Sequence, residues 1–163
     1  MKRILYSVIA VIAVLVVASI GLLALINGGG GNGDTASIGA VSTNFRLFGP
    51  NDKVVVERIN DPKVTNVVCY ASFAQTGGVA GGLGVATDPS QFALNCIGHG
   101  PVSIPADLPQ QEEMGSINAS FLFKHFIITR MVDTQDNTLV YVLISTKVLH
   151  GSPANAVSAV SAQ

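Results

Sequence analysis

One uncharged apolar run limits what this chain can fold into more than any other feature. Residues 4–26 are 23 consecutive residues without a charge, and Lys2 and Arg3 precede them. A helix of that length spans roughly 34 Å, whereas the hydrocarbon core of a bilayer is about 30 Å thick. An uncharged run of this length has no polar face to present to water. We therefore expect residues 1–27 to form an uncleaved signal-anchor, a single transmembrane helix.

Two other interpretations of the apolar run stay open, a long cleavable signal and a buried core helix. A secretory signal usually has an apolar stretch of roughly 7–15 residues followed by a small-x-small cleavage site. This run is longer, and no clean Ala-x-Ala follows it. By the positive-inside rule, Lys2 and Arg3 hold the N-terminus in the cytoplasm, so the rest of the chain is expected outside it.

The residues after the run suggest a linker and then one domain. Residues 28–34 contain five glycines, which is typical of a flexible tether, and we place the tether at residues 28–37. The remaining residues, 38–163, are close to the commonest domain size and can bury a core. We expect the tether to hold this domain near the bilayer without packing on it.

The charge balance excludes one class of partner. Nine Lys and Arg stand against ten Asp and Glu, for a net charge of −1. The basic patch of a nucleic-acid-binding protein is therefore not expected, and we predict no nucleic-acid partner.

The domain is rich in strand patterns separated by turn sequences. The patterns predict a mainly β, antiparallel fold, either a sandwich or a curled barrel-like sheet, with one or two short helices. One helical turn is predicted over residues 91–94, where Asp88 and Pro89 suit a helix start. The two longest strands are apolar on both faces, which predicts central strands covered on both sides. The predicted strands are residues 39–48, 53–59, 64–73, a strand near Cys96, 120–132, 138–149 and a short last strand after Pro153.

Cys69 and Cys96 are the two cysteines of the chain. In an oxidising compartment such a pair is most simply a structural disulfide. Free buried thiols and a redox couple are the alternatives. A redox couple is disfavoured because the chain has no Cys-x-x-Cys and no Lys or Arg beside either cysteine.

The residue patterns do not predict a catalytic, cofactor or metal site. His99, His125 and His150 lack the spacing of metal ligands, and a metal site needs three or four converging ligands. No Gly-x-Ser-x-Gly nucleophile motif occurs. Glu112 and Glu113 are interpreted as part of a solvated loop. We therefore expect no enzyme.

A glycine-rich segment has two interpretations. One is a crossover where two parts of the chain approach closely, and the other is a loop that contacts a ligand. No Lys-Ser/Thr follows it, so it is not a P-loop. The candidate ligand-loop residues are Thr76, Gly77, Gly78, Gly81, Gly82 and Gly84.

Several ordered motifs together resemble the CreA family of bacterial envelope proteins. They cover about residues 38–160, nearly the whole domain. The motifs are FGPNDKVVVE at 48–57, DPKV at 61–64, Cys69-Tyr70, TGGVAGGLG at 76–84, DPS at 88–90, Cys96, LFK at 122–124, Arg130, Asp133, NTLVY at 137–141 and GSPANA at 151–156.

The resemblance implies a bacterial protein exported to the periplasm, with its two cysteines paired, and a link to catabolite regulation. It carries over no catalytic residue and no cofactor. We expect a periplasmic domain anchored to the inner membrane, with release into the periplasm after signal cleavage as the alternative. The expected function is a non-enzymatic module that binds an envelope protein or a small ligand. The alternatives are an enzyme of unknown reaction and a structural or chaperone-like envelope protein.

Overall fold

A computed structural model describes residues 35–82, 91–120, 124–146, 151 and 153–163. Within these residues the chain forms two four-stranded antiparallel sheets and one short helix, which confirms the mainly β, antiparallel class. The predicted membrane span, residues 1–27, lies outside the described residues. Among the described residues, no helix has the length and apolar character needed to cross a membrane.

The first sheet has the strand order β1-β2-β3-β4, so each strand pairs with its neighbour in sequence. One helix, α1, follows β3. The elements are β1 (Thr35–Ser42), β2 (Lys53–Asn60), β3 (Val67–Gln75), α1 (Gly78–Gly82) and β4 (Phe92–Gly98).

The second sheet repeats this arrangement with the order β5-β6-β7-β8. Between the two sheets the chain runs through residues 99–110. The hairpin predicted around residues 133–137 is confirmed, and Asn137 adopts a left-handed conformation (φ 46°) at its turn. The strands are β5 (Gln111–Ser120), β6 (Lys124–Asp133), β7 (Thr138–Ser145) and β8 (Asn155–Ser161).

Three local predictions are corrected by the structure. The first strand covers Thr35–Ser42 rather than residues 39–48, so residues 35–37 belong to the sheet and 43–52 form a loop. The predicted helical turn over 91–94 is wrong from Phe92 onward, because β4 begins there and places Phe92 and Leu94 against the core. The strand β5 was not predicted, because its sequence begins with three polar residues.

The two sheets share one apolar core. Along β3 and β7 every second side chain is buried, including Phe73 and Leu139. The ring of Phe126 on β6 lies 5.3 Å from that of Phe73 and 4.7 Å from that of Phe92, so aromatic packing joins the sheets. Burying one such side chain contributes roughly 1.5–3 kcal/mol.

The predicted central position of the two longest strands is confirmed, since β6 and β7 lie in the middle of their sheet. Their outward side chains, however, are not fully covered. On β7 the outward residues Val140, Val142 and Ile144 are only half-buried. The apolar pattern on both sides of β7 therefore overstated how much of the strand is covered.

Candidate functional site

The two cysteines are direct cross-strand neighbours. Cys69 on β3 pairs with Cys96 on β4, and a disulfide joins them. Both are nearly inaccessible to solvent, and the loop between them would contribute roughly 3–4 kcal/mol in the chain-entropy model. The Cys96 N–H also donates a hydrogen bond of 2.8 Å to Ser158 Oγ on β8. The disulfide thus lies where the edges of the two sheets meet.

The glycine-rich segment packs closely against the loop 43–52. A Cβ on Gly77 would lie 2.1 Å from the Pro50 carbonyl oxygen. A Cβ on Gly49 would lie 2.4 Å from the Gly78 carbonyl carbon, and Gly49 has a φ of 85°. Both positions therefore exclude a side chain, which supports the interpretation of a close crossover.

The remaining residues of the candidate ligand loop lie nearby or outside the described ranges. Thr76 follows β3, and Gly78, Gly81 and Gly82 belong to α1. Gly84 lies outside the described residues. Ligand contact by this loop stays a prediction.

Asp52 organises the crossover. Its carboxylate accepts hydrogen bonds from Arg46 Nε (3.0 Å), from Arg46 Nη2 (2.8 Å) and from the Gly77 N–H (2.6 Å). The Arg46 N–H in turn donates to Asn51 Oδ1 at 2.9 Å. The hydrogen bonds from Arg46 lower the pKa of Asp52, so this pair stays charged near neutral pH. The loop therefore has a defined shape.

That loop presents a group of exposed apolar side chains, which we call the apolar hairpin tip. It consists of Phe45, Leu47 and Phe48, which are 80%, 78% and 73% exposed, and of Val79 on α1, which is 62% exposed. Single exposed apolar residues are ordinary, but a group of large ones marks an interaction surface. Sequence reasoning missed the tip because it assigned residues 39–48 to a strand.

A second group of side chains, which we call the cross-sheet charged cluster, extends from the buried space between the sheets to the surface, where Lys63 is 49% exposed and Glu112 is 28% exposed. It consists of Asp61, Lys63, Glu112, Arg130 and Tyr141. Arg130 is fully buried, and its Nη1 donates to Asp61 Oδ1 at 2.7 Å while its Nη2 donates to Glu112. The Tyr141 hydroxyl donates to Asp61 Oδ2 at 2.8 Å, and Lys63 Nζ pairs with Glu112.

The turn after β2 fixes the orientation of Asp61. Asp61 Oδ1 accepts the backbone N–H groups of Lys63 (2.9 Å) and Val64 (3.0 Å). Such a turn is the expected use of Asp at the end of a strand. The carboxylate thereby connects the β2–β3 turn of one sheet with Arg130 and Tyr141 of the other.

The surroundings of Tyr141 and Glu112 shift the pKa values of these two groups in opposite directions. Burial, together with the charge of Asp61, raises the pKa of Tyr141, which remains a hydrogen-bond donor. The hydrogen bond from Lys63 lowers the pKa of Glu112. Within the described residues, Arg130 Nε is the cluster's one buried side-chain atom that lacks a partner. The cluster therefore fits a structural role better than proton transfer.

The cluster corrects the interpretation of Glu112 as part of a solvated loop. Glu112 lies on β5 opposite Arg130, whereas the adjacent Glu113 is exposed. The sequence did carry a signal for Arg130. Arg130 occupies an inward position of its strand, because Phe126, Ile128 and Val132 at alternate positions are also buried. An Arg at such a position predicts a buried carboxylate partner.

Among the described residues, no group of three or more His, Cys, Asp or Glu side chains could hold a metal ion. His150 lies outside those residues.

The fold and its buried groups define a class of mainly β protein. In this class two antiparallel sheets are joined by an aromatic core, by a disulfide at the sheet edge and by a cross-sheet charged cluster. Residues 38–163 match the family model described as CreA protein, and the chain belongs to the CreA family. It is 42% identical over 127 residues to Protein CreA of Escherichia coli K12 and to that of Escherichia coli O157:H7. Each alignment covers 76% of this chain and 81% of the relative. No solved structure matches the chain. The resemblance seen in the sequence is thus confirmed.

Proposed function

We propose that this CreA family member is an exported, membrane-tethered and non-enzymatic binding module that acts in the bacterial response to carbon source. The apolar hairpin tip is the observation that carries the proposal. Its large side chains are exposed, and the polar groups around them bond to one another. A surface that is preformed in this way loses little conformational entropy when it binds.

The state of the charged groups supports binding rather than catalysis. Asp61 and Arg130, which could perform acid–base or anion chemistry, are buried and paired with each other. Enzymes instead direct such groups into an accessible cleft where a substrate can reach them.

The apolar run of residues 4–26 and the disulfide support export and tethering. A segment of that length and composition suits a membrane span, and disulfides persist in oxidising compartments such as the periplasm. The link to carbon source is what the family resemblance implies.

Photo-crosslinking in living cells tests the binding function. A photoreactive amino acid replaces Phe48 at the tip in the full-length chain, and Gln135, an exposed turn residue, is the matched control position. We expect the tip position to yield a reproducible protein or lipid adduct that the control does not yield. Equal adduct patterns at the two positions would contradict a binding role for the tip.

Two further measurements test export, tethering and regulation. The mature protein is expected to keep residues 1–34 and to sediment with membranes, and an N-terminus near residue 35 would refute tethering.

Deleting the gene is expected to change the transcriptional response to a shift in carbon source, with restoration by the full-length chain. Identical transcript profiles with and without the gene would remove the regulatory role.

A further inference from the structure

The apolar hairpin tip differs from a typical protein-binding surface in how its polar groups are used. A protein interface surrounds its apolar centre with donors and acceptors that bond across to the partner. Around this tip the polar groups of Asn44, Arg46, Asn51 and Asp52 already bond within the loop or to Gly77. Each of these residues therefore already uses polar groups inside the loop.

Three backbone hydrogen bonds hold the ends of the loop together and join it to α1. The Thr43 N–H donates to the Asp52 carbonyl at 2.7 Å, and the Asp52 N–H donates to the Asn44 carbonyl at 3.1 Å. The Gly78 N–H donates to the Pro50 carbonyl at 2.6 Å. These bonds fix the base of the loop, and in the interfacial layer water and lipid headgroups pair with the remaining backbone groups.

The charges of the loop cancel as well. Arg46 and Asp52 form a two-point ion pair within the loop, so the pair brings no net charge to a partner. A neutral, internally bonded loop with Phe and Leu at its surface suits the boundary between lipid headgroups and acyl chains.

The chain outside the described residues supplies the reason to choose a membrane. The apolar run ends at Ile26 and β1 begins at Thr35, so residues 28–34 can reach at most about 25 Å. The eight residues of β1 span about 25 Å before the loop begins. The tip therefore lies about one strand length from Thr35, where the described part of the domain begins.

We propose that the apolar hairpin tip inserts into the interfacial layer of the membrane that residues 1–27 anchor, and so provides the domain with a second membrane contact. This rests on the tethering proposed above, which raises the local concentration of the tip at the bilayer. It contrasts with the expectation, from the tether's composition, that the domain does not pack on the bilayer. Because the loop is neutral, insertion needs neither anionic lipid nor low salt.

The absence of tryptophan from the chain makes a direct test possible. The full-length Leu47→Trp protein is reconstituted into phosphatidylcholine vesicles whose acyl chains carry bromine, a short-range quencher of tryptophan fluorescence. The matched control is Val157→Trp, at an exposed apolar position on β8. We expect about a twofold or greater loss of emission from the Leu47 reporter and little loss from the control, because interfacial insertion brings side chains to the acyl boundary.

A second variant tests whether the native apolar side chains, rather than the introduced tryptophan itself, cause the insertion. Adding Phe45→Ser and Phe48→Ser to the Leu47→Trp protein should abolish most of the quenching. Both positions are exposed, so the fold should not change, and circular dichroism checks this. Quenching should persist in high salt and should not increase when anionic lipid is added.

The outcomes distinguish this proposal from the one it rests on. Equal quenching of the Leu47 and Val157 reporters, or none in either, overturns membrane insertion. A protein adduct at Phe48 in cells, combined with an unquenched Leu47 reporter, also overturns it and assigns the tip to a protein partner, with the binding function intact. Loss of residues 1–34 from the mature protein instead refutes tethering, whatever the vesicles show.

Discussion

Two aspartates of this domain perform the same local chemistry in opposite surroundings. Asp61 and Asp52 each accept a side-chain hydrogen bond from an arginine and at least one backbone N–H, which comes from the following turn for Asp61 and from Gly77 for Asp52. The side chains of Asp61 and Arg130 are fully buried, whereas that of Arg46 is 45% exposed. Removing one member of a buried pair leaves an uncompensated charge, while an exposed pair is screened by water.

The comparison shows that similar ion pairs can have different roles. The pair at Asp61 joins two sheets and cannot be rearranged without exposing the core. The pair at Asp52 shapes a loop that water already surrounds. We therefore expect substitutions at the first to affect the whole domain, and substitutions at the second to affect mainly the tip.

The largest effect is expected from Arg130→Met. It leaves Asp61 buried without its cation, which should lower the free energy of unfolding by about 3–5 kcal/mol, measured by urea denaturation. Adding Asp61→Asn should recover part of this loss, because the uncompensated charge disappears. No recovery in the double variant would indicate that packing by the Arg130 side chain, rather than its charge, stabilises the domain.

A smaller effect is expected from Tyr141→Phe. The change removes one hydrogen bond to the Asp61 carboxylate and should cost about 1.5–3 kcal/mol in the free energy of unfolding. Tyr70→Phe is the matched control, since Tyr70 lies only half-buried on β3. Equal losses in the two variants would contradict a specific role for the buried hydroxyl.

The next effect concerns acid stability. The pKa of Glu112 is lowered by Lys63, so its contribution is complete above the ordinary value of 4.5 and disappears as the pH falls through the lowered pKa. Glu112→Gln should therefore destabilise the domain near neutral pH and reduce the fall in its urea midpoint below pH 4.5. Glu113→Gln at the exposed neighbouring position is the matched control, and its urea midpoint at neutral pH should stay close to that of the parent protein.

The smallest effect on global stability is expected from Asp52→Asn. Its urea midpoint should lie close to that of Asp107→Asn, an exposed control, because the ion pair with Arg46 is screened. Local exchange should differ: the amide of Gly77, which donates to Asp52, should exchange faster in hydrogen-exchange measurements. A midpoint shift as large as that of Arg130→Met would remove the distinction between the two pairs.

The sequence predicted the strands whose apolar periodicity is regular. Along β3 and β7 every second residue faces the core, and flanking turns at residues 60–63 and 133–137 marked their ends. The disulfide was also predictable, because only two cysteines are present and an oxidising compartment was expected.

The strand β5 could not be recognised because its alternation is interrupted. The pairing of β5 with β6 shifts between Glu113 and Gly115. The shift places Glu112 opposite Arg130 and still buries Met114 and Ile117. A bulge changes which residues face inward, so no period of two survives in the sequence.

The candidate sites depended on contacts between distant parts of the chain. Asp61 and Arg130 are 69 residues apart, and no local pattern states that they meet. The apolar hairpin tip was missed for the opposite reason. Phe45 and Leu47 resemble a strand in composition, but the chain leaves the sheet after Ser42, and the packing of Gly49 against Gly78 holds residues 43–52 in a loop.

The arrangement of each sheet as a run of consecutive strands has a consequence for how the domain folds. Contacts within a sheet join neighbours in sequence, which close quickly, whereas contacts between the sheets must wait for residues 99–110 to bring them together. We expect the charged side chains of Asp61 and Arg130 to lose their water at that docking step. We therefore expect Arg130→Met to change mainly the rate of unfolding, with each half of the chain acquiring its strands before the two meet.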